Sequence, residues 1–217
     1  MTVVRTIRAA IHGRYLVDAS SSADRPIAGI LIGCHGYAES AEVQLARLQA
    51  IPNLDGWLRV SVQALHRFYR GRSEEVVASW MTRQDRELMI ADNVSYVSSI
   101  VAEVSADLDE PSRLVFAGFS QGVATAFRAA CASALPCAVV ALGGDVPPEL
   151  DSRRLAWPRR VLIGRGTRDE WYSPEKHAAD LDRLREAGTP VEPLTLDAGH
   201  EWTAEFSAAV SRFLAAW

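Results

Sequence analysis

Ser120 stands in the pentapeptide GFSQG (residues 118 to 122), after the apolar run RLVFA and before VATAFRAACA. A serine hydroxyl is a weak nucleophile until a base takes its proton, so a reacting serine implies a partner histidine and an acid to orient that histidine. The flanking glycines, Gly118 and Gly122, suit a tight strand-to-helix turn, where a side chain would collide with neighbouring backbone. Such a turn lifts the hydroxyl above the sheet and aims the amino end of the next helix at it. Of the five histidines, His200 in DAGHEW follows the last apolar run and is the candidate base. His12, His66 and His177 lie in an early hairpin, an ambiguous segment and an exposed helical position, and His35 reads as an organiser of the loop it opens. Asp169, which follows RVLIGRG and precedes His200 by 31 residues, is the candidate acid. Asp145 also leaves a strand end and is its competitor, whereas Asp197 is too near His200 in the chain to reach the far side of the ring. Cleavage of an acyl group also needs donors for the oxyanion; the backbone N–H groups of Tyr37, in HGYAES, and of Gln121 fit that role.

The elements that must position these groups alternate. Short strands are expected at 3–9 and 14–18 as an opening hairpin, then at 29–35, 57–65, 113–119, 137–142, 160–166 and 191–196. Helices are expected at 40–50, with Val43, Leu45, Ala46 and Leu48 as the apolar positions, at 86–108, at 121–134, and from Ser173-Pro174 to Gly188. A closing helix follows over 201–216. Residues 66–85, polar and aromatic together, read as a loop covering the site. Alternation of this kind predicts an α/β fold: a mostly parallel central sheet with helices on both faces, one domain over 1–217, and reactive groups at the carboxyl ends of the strands.

The matching segments ILIGCHGYAES, DEPSRLVFAGFSQGVA, VALGGDVP, LIGRGTRDEWYSP and DAGHEW lie in order between about residues 29 and 203. With them the chain resembles the phospholipase/carboxylesterase branch of the alpha/beta-hydrolases, which includes the acyl-protein thioesterases. The resemblance implies an alpha/beta-hydrolase fold with a short lid region, a Ser120/Asp169/His200 triad, an oxyanion hole from Tyr37 and Gln121, and cleavage of esters or thioesters without metal or cofactor. The chain departs from the family in three places: Ala38-Glu39-Ser40 where an aspartate is usual, Val123 where a second glycine is common, and Glu170-Trp171-Tyr172 before the helix. These leave the reacting groups intact and weaken the transfer of substrate preference.

Tyr69, Trp80, Met81, Trp171, Tyr172 and Trp202 fall in segments expected near the site and are candidates for an apolar substrate pocket. Arg67, Arg70, Arg72 and Arg168 are candidates to meet a carboxylate on the substrate, with solvated loops as the competing reading.

Composition narrows the alternatives. With 217 residues, 48% apolar and 23% charged, the chain is the size of one large globular domain. A net charge of −4 argues against a nucleic-acid partner. The first residues carry arginines within their apolar stretch and do not read as a secretory signal. The longest uncharged run, Ala129–Gly144, is too short to span a membrane and contains Pro136. Three cysteines without ligand spacing read as free thiols in a reducing compartment, which favours the cytoplasm. The expected partner is a small-molecule ester, with the protein a monomer or homodimer. A peptidase of the same fold and a non-catalytic binding protein on the same scaffold are the rival functions. Dienelactone-type hydrolysis fits less well, since that chemistry generally calls for cysteine at the elbow.

Overall fold

The computed structural model describes residues 1–19, 27–106, 108, 113–150 and 156–217. Its elements in chain order are β1 (Arg14–Asp18), β2 (Gly29–Cys34), α1 (Ala41–Gln49), β3 (Trp57–Gln63), β4 (His66–Tyr69), β5 (Val76–Ser79) and α2 (Arg86–Ala106). There follow β6 (Leu114–Phe119), α3 (Gln121–Ala132), β7 (Cys137–Leu142), β8 (Arg160–Gly166), α4 (Pro174–Glu186), β9 (Val191–Leu196) and α5 (Ala204–Ala215). Seven strands form one sheet in the order β1-β3-β2-β6-β7-β8-β9, parallel except for β1.

The strands at the centre of this sheet are apolar throughout because both faces are covered. Alternate side chains of β2 and β6 enter different cores. Ile30, Ile32, Leu114 and Phe116 pack with Val97 and Ile100 of α2 and Phe127 of α3. Leu31, Val115, Ala117 and Phe119 pack with Leu48 of α1 and with Phe206 and Phe213 of α5. On the outer edge, β9 tolerates Pro193, a residue unable to donate to a ladder on its far side. The chain moves outward from β2 to β3 in one direction and from β6 to β9 in the other. The reversal lies between β2 and β6, the place where a doubly wound sheet opens a crevice beyond its strand ends.

The helix boundaries follow capping chemistry. Ser40, Ser173 and Thr203 accept the amides of Val43, Lys176 and Phe206, so α1, α4 and α5 begin immediately after them. The closing helix consequently starts at Ala204, three residues later than its apolar pattern suggests. Gly188, with φ +71, ends the α4 region as expected.

Several expectations are corrected. Residues 3–9 form no strand: the segment is exposed, and only Arg14–Asp18 finds a partner, β3. Within 66–85, His66–Tyr69 and Val76–Ser79 pair as an antiparallel hairpin instead of a loop, its second strand held by the full burial of its own Val77 and Ala78. In α1, Val43 faces solvent and Gln44 is buried. The long helix α2 ends at Ala106, and its expected extension includes residue 107, which lies outside the described residues, as do residues 109–112 of the DEPS stretch. His177, expected on an exposed face, is buried edge-on against Tyr172 with ring centroids 5.7 Å apart. Among the described residues, no helix is long and apolar enough to cross a membrane.

Candidate active site

Ser120 occupies the single residue between β6 and α3, with φ +52 and ψ −121. A non-glycine residue in such a conformation costs on the order of 1–3 kcal/mol and persists only when its surroundings hold it. Here the Ser120 amide donates to the Leu142 carbonyl of β7 at 2.9 Å, and the Val123 amide donates to the Ser120 carbonyl at 3.0 Å. A Cβ at Gly122 would lie 2.1 Å from the Cys34 carbonyl oxygen, and one at Gly118 would lie 2.5 Å from Val123 Cα. Both glycines are therefore required by close backbone approach, and Gly122 brings the start of α3 against the end of β2.

His200 and Asp169 reach Ser120 from the ends of β9 and β8. The loops are tied together where the ladder continues past the strands: Thr167 N–H donates to Leu196 O at 2.8 Å and Arg168 N–H to Ala198 O at 2.9 Å. An ion pair between Arg168 and Asp197 closes the outer side. The His200 Nδ1 to Asp169 Oδ2 distance is 2.8 Å, and the His200 Nε2 to Ser120 Oγ distance is 2.8 Å. A carboxylate can only accept, so Nδ1 carries the proton and Nε2 is left to accept from the serine hydroxyl. The second carboxylate oxygen, Asp169 Oδ1, accepts the amides of Trp171 and Tyr172, each at 2.9 Å. The Asp169 side chain is 1% exposed and that of His200 is 22% exposed, so the acid is sealed while the base faces the mouth. Phe119 flanks the imidazole at 5.0 Å between ring centroids.

The competing groups are engaged elsewhere. Asp145 is an exposed residue 3.7 Å from Lys176 Nζ. His12 and His66 are exposed. His35 is buried: its Nδ1–H donates to Gly36 O at 2.7 Å and its Nε2 accepts from Ala64 N–H at 3.1 Å. With both ring nitrogens so used, and with burial pulling its pKa below the ordinary histidine value, it is a neutral brace for the loop after β2.

That loop carries Tyr37, whose amide, like that of Gln121, has no acceptor among the described residues. Glu39 holds the loop: it accepts the Gly36 amide at 2.7 Å and both terminal nitrogens of Arg47 at 2.6 and 2.7 Å. Arg47 in turn lies over the Phe119 ring, 4.2 Å from its centroid. The Gln121 side chain clamps the exit of the hairpin, accepting Trp80 N–H at 2.9 Å and donating to Met81 O at 3.1 Å. These two braces escape sequence reasoning because each joins residues from different elements, with no local pattern to mark the pairing.

Beside Ser120 and Gln121 lies a cavity of about 300 Å³. Met81, Trp171 and Tyr172, three of the six aromatic and methionine candidates, contribute to its wall. The other three lie outside its lining. Trp80 is fully buried, its Nε1 donating to His35 O at 2.8 Å, because the indole fills the core under the loop. Tyr69 is exposed on the hairpin and lines a different hollow with Ser73, Glu74 and Val76. Trp202 packs edge-on against Phe206 at 4.7 Å and donates to Ser207, so it anchors α5. Tyr172 itself is 1% exposed, with its hydroxyl donating to Asp180 at 2.9 Å; it closes the cavity from behind. Among the cations, Arg168 is held by Asp197, Arg67 donates to His12 O, Arg70 donates to Ala38 O, and Arg72 is exposed. The cations that do line the cavity are Arg86, Arg128 and Lys176.

The fold agrees with solved structures. Over 94% of this chain and 97% of the other, it superposes on esterase PE8 with a TM-score of 0.73 at 20% identity. A carboxylesterase from Mesorhizobium loti gives a TM-score of 0.74 at 19% identity, covering 94% of each chain. Acyl-protein thioesterase 2 from Zea mays gives 0.71 at 19% identity, over 94% of this chain and 99% of that one. The fold is that of the alpha/beta-hydrolases. No family model matches the sequence, and no curated protein matches it. At such low identity the resemblance lies in the path of the chain, and the chemistry must be read from the side chains.

Proposed function

We propose that this protein is a serine hydrolase that cleaves carboxylic esters of small substrates, thioesters included, through a covalent acyl-enzyme on Ser120. The observation that carries this reading is the unbroken hydrogen-bonded chain from Ser120 through His200 to Asp169, with the serine held on a strained elbow. In the reaction His200 Nε2 takes the hydroxyl proton as Ser120 Oγ attacks the substrate carbonyl. The backbone N–H groups of Tyr37 and Gln121 receive the oxyanion; that neither has an acceptor among the described residues supports that role. Losing one such donor costs about 3 kcal/mol of barrier. Protonated His200 then releases the alcohol or thiol, and a water activated by the same nitrogen clears the acyl-enzyme. Asp169 stays ionised throughout and stabilises the imidazolium.

The whole chain is read as one hydrolase domain, with residues 66–85 forming one border of the site; the latch between Gln121 and Met81 supports this. A cytoplasmic location is supported by Cys34, Cys131 and Cys137, all free and buried, as a reducing compartment allows.

The test is Ser120→Ala. Turnover of a short-chain aryl ester is expected to fall by at least about 10⁴-fold while the circular dichroism spectrum stays unchanged. The wild-type chain is expected to take one fluorophosphonate adduct at Ser120, and the variant none. Undiminished turnover in the variant overturns the mechanism. An absent adduct on the wild type points instead to a binding protein on a hydrolase scaffold.

A further inference from the structure

The cavity beside Ser120 is not walled like a channel for a hydrocarbon chain. Met81 and Trp171 give it apolar surface, but Arg86, Arg128, Asp145 and Lys176 stand in the same wall. Arg128 is the deepest of these, 5% exposed. Its Nε and Nη2 both donate to Glu149 Oε1, at 2.8 and 2.6 Å, while Glu149 Oε2 accepts from Arg86 Nη2 at 3.2 Å. Two guanidinium groups thus share one carboxylate. The remaining fork nitrogen of Arg128, Nη1, has no acceptor among the described residues. Lys176 donates to the Trp171 carbonyl at 2.9 Å and lies 3.7 Å from Asp145, which leaves that pair loosely matched. Among the described residues, the three cations of the wall, Arg86, Arg128 and Lys176, are partnered by two carboxylates, Glu149 and Asp145, one positive charge in excess.

A neutral acyl chain entering here would strip water from these charges and return nothing to them, which is unfavourable. An anionic oxygen would gain a charge-assisted hydrogen bond from a planar donor already held in place by Glu149. At about 300 Å³ the space is at the small end for ligand cavities, so the charge and the scissile carbonyl must be joined by a short link.

We propose that the esters cleaved at Ser120 carry a carboxylate a few bonds from the reacting carbonyl, received by Arg128 with Arg86 and Lys176 beside it, and with Met81 and Trp171 covering the link. This deepens the hydrolase reading and rests on it. Arg128 is in this role a specificity-determining residue, distinct from the groups that break the bond.

The experiment compares kcat/KM for three esters on the full chain: para-nitrophenyl hexanoate, mono-para-nitrophenyl adipate, and a carboxylated nitrophenyl ester of hexanoic acid. The first is neutral, the second carries its charge on the acyl half, and the third on the leaving group. At least one anionic ester is expected to exceed the neutral one by about tenfold or more, and the better of the two tells which half the cavity receives. In Arg128→Gln that preference is expected to shrink by about fivefold or more. Should Arg128→Gln fail to fold, Lys176→Gln, altered at an exposed side chain, must reduce the wild-type preference instead. A neutral ester cleaved as well as or better than both anionic ones overturns the proposal and leaves the hydrolase reading standing, as does a preference that neither substitution reduces. Failure of all three esters together with no fluorophosphonate adduct at Ser120 overturns the hydrolase reading itself.

Discussion

At the scale of single residues, the two oxygens of Asp169 have separate tasks. Oδ1 accepts two backbone amides, from Trp171 and Tyr172, and Oδ2 accepts the imidazole. The amides can only donate, so in Asp169→Asn the carbonyl oxygen of the new side chain must stay with them and its NH₂ must turn to His200. The ring then has to accept at Nδ1 and carry its proton on Nε2, facing Ser120, where it cannot act as a base. We expect Asp169→Asn to keep the fold and lose about 10⁴-fold in kcat on an aryl ester. A loss of only a few-fold, measured by steady-state kinetics, would show that this carboxylate does not set the tautomer. The three reacting residues were legible in the sequence because each follows a recognisable strand. Trp80 and Trp202 were not, because an aromatic residue near a strand end is equally suited to a pocket wall and to a core.

At the scale of elements, the loop after β2 depends on an ion pair that ties it to α1. Burial opposes ionisation of Glu39, but the two hydrogen bonds from Arg47 and the one from Gly36 outweigh it, and the pKa lies below the ordinary carboxylate value. A depressed folded-state pKa contributes stability that is present above the unfolded value and is lost as pH falls through the folded one. Glu39→Gln is therefore expected to destabilise the protein by about 2 kcal/mol at neutral pH in urea unfolding. The gap to wild type should close as pH falls through the lowered pKa of Glu39, where the wild type loses the same charge. A gap that stays constant over that range would mean the loss comes from packing and not from the pair. The hairpin β4–β5 belongs to this scale too. Its strands are short and polar on one side, so period-two alternation was weak in the sequence, and burial of Val77 and Ala78 decides it.

Taken whole, the molecule places its three thiols inside its layers. Cys34 at the end of β2 and Cys137 at the start of β7 are pushed up by burial to about 12, and Cys131 in α3 to about 11. The thiolate is the reactive form, so native protein at pH 8 should not react with a thiol-specific chromogenic reagent over many minutes, and three thiols should titrate in denaturant. Rapid reaction of one thiol in the folded state would report local opening around that element. The sheet order has a second consequence at this scale. Because the winding reverses between β2 and β6, the loop carrying Tyr37 and the elbow carrying Ser120 rise from adjacent strands and share one crevice.

The chain by itself determined the alternation of strands and helices, the elbow at Ser120, and the choice of His200 and Asp169, since these rest on local periodicity, turn chemistry and position after a strand. Only the tertiary structure decided which charges and rings surround the nucleophile. Sequence proximity to the site drew attention to Arg67, Arg70, Arg72 and Arg168, whereas folding brings in Arg86 from α2, Arg128 from α3 and Lys176 from α4. The physical reason is that helical periodicity reports that a face is polar and not what it meets. Arg128 lies on the helix that starts at the nucleophile and is 95% buried only because Glu149, from a different part of the chain, neutralises it there.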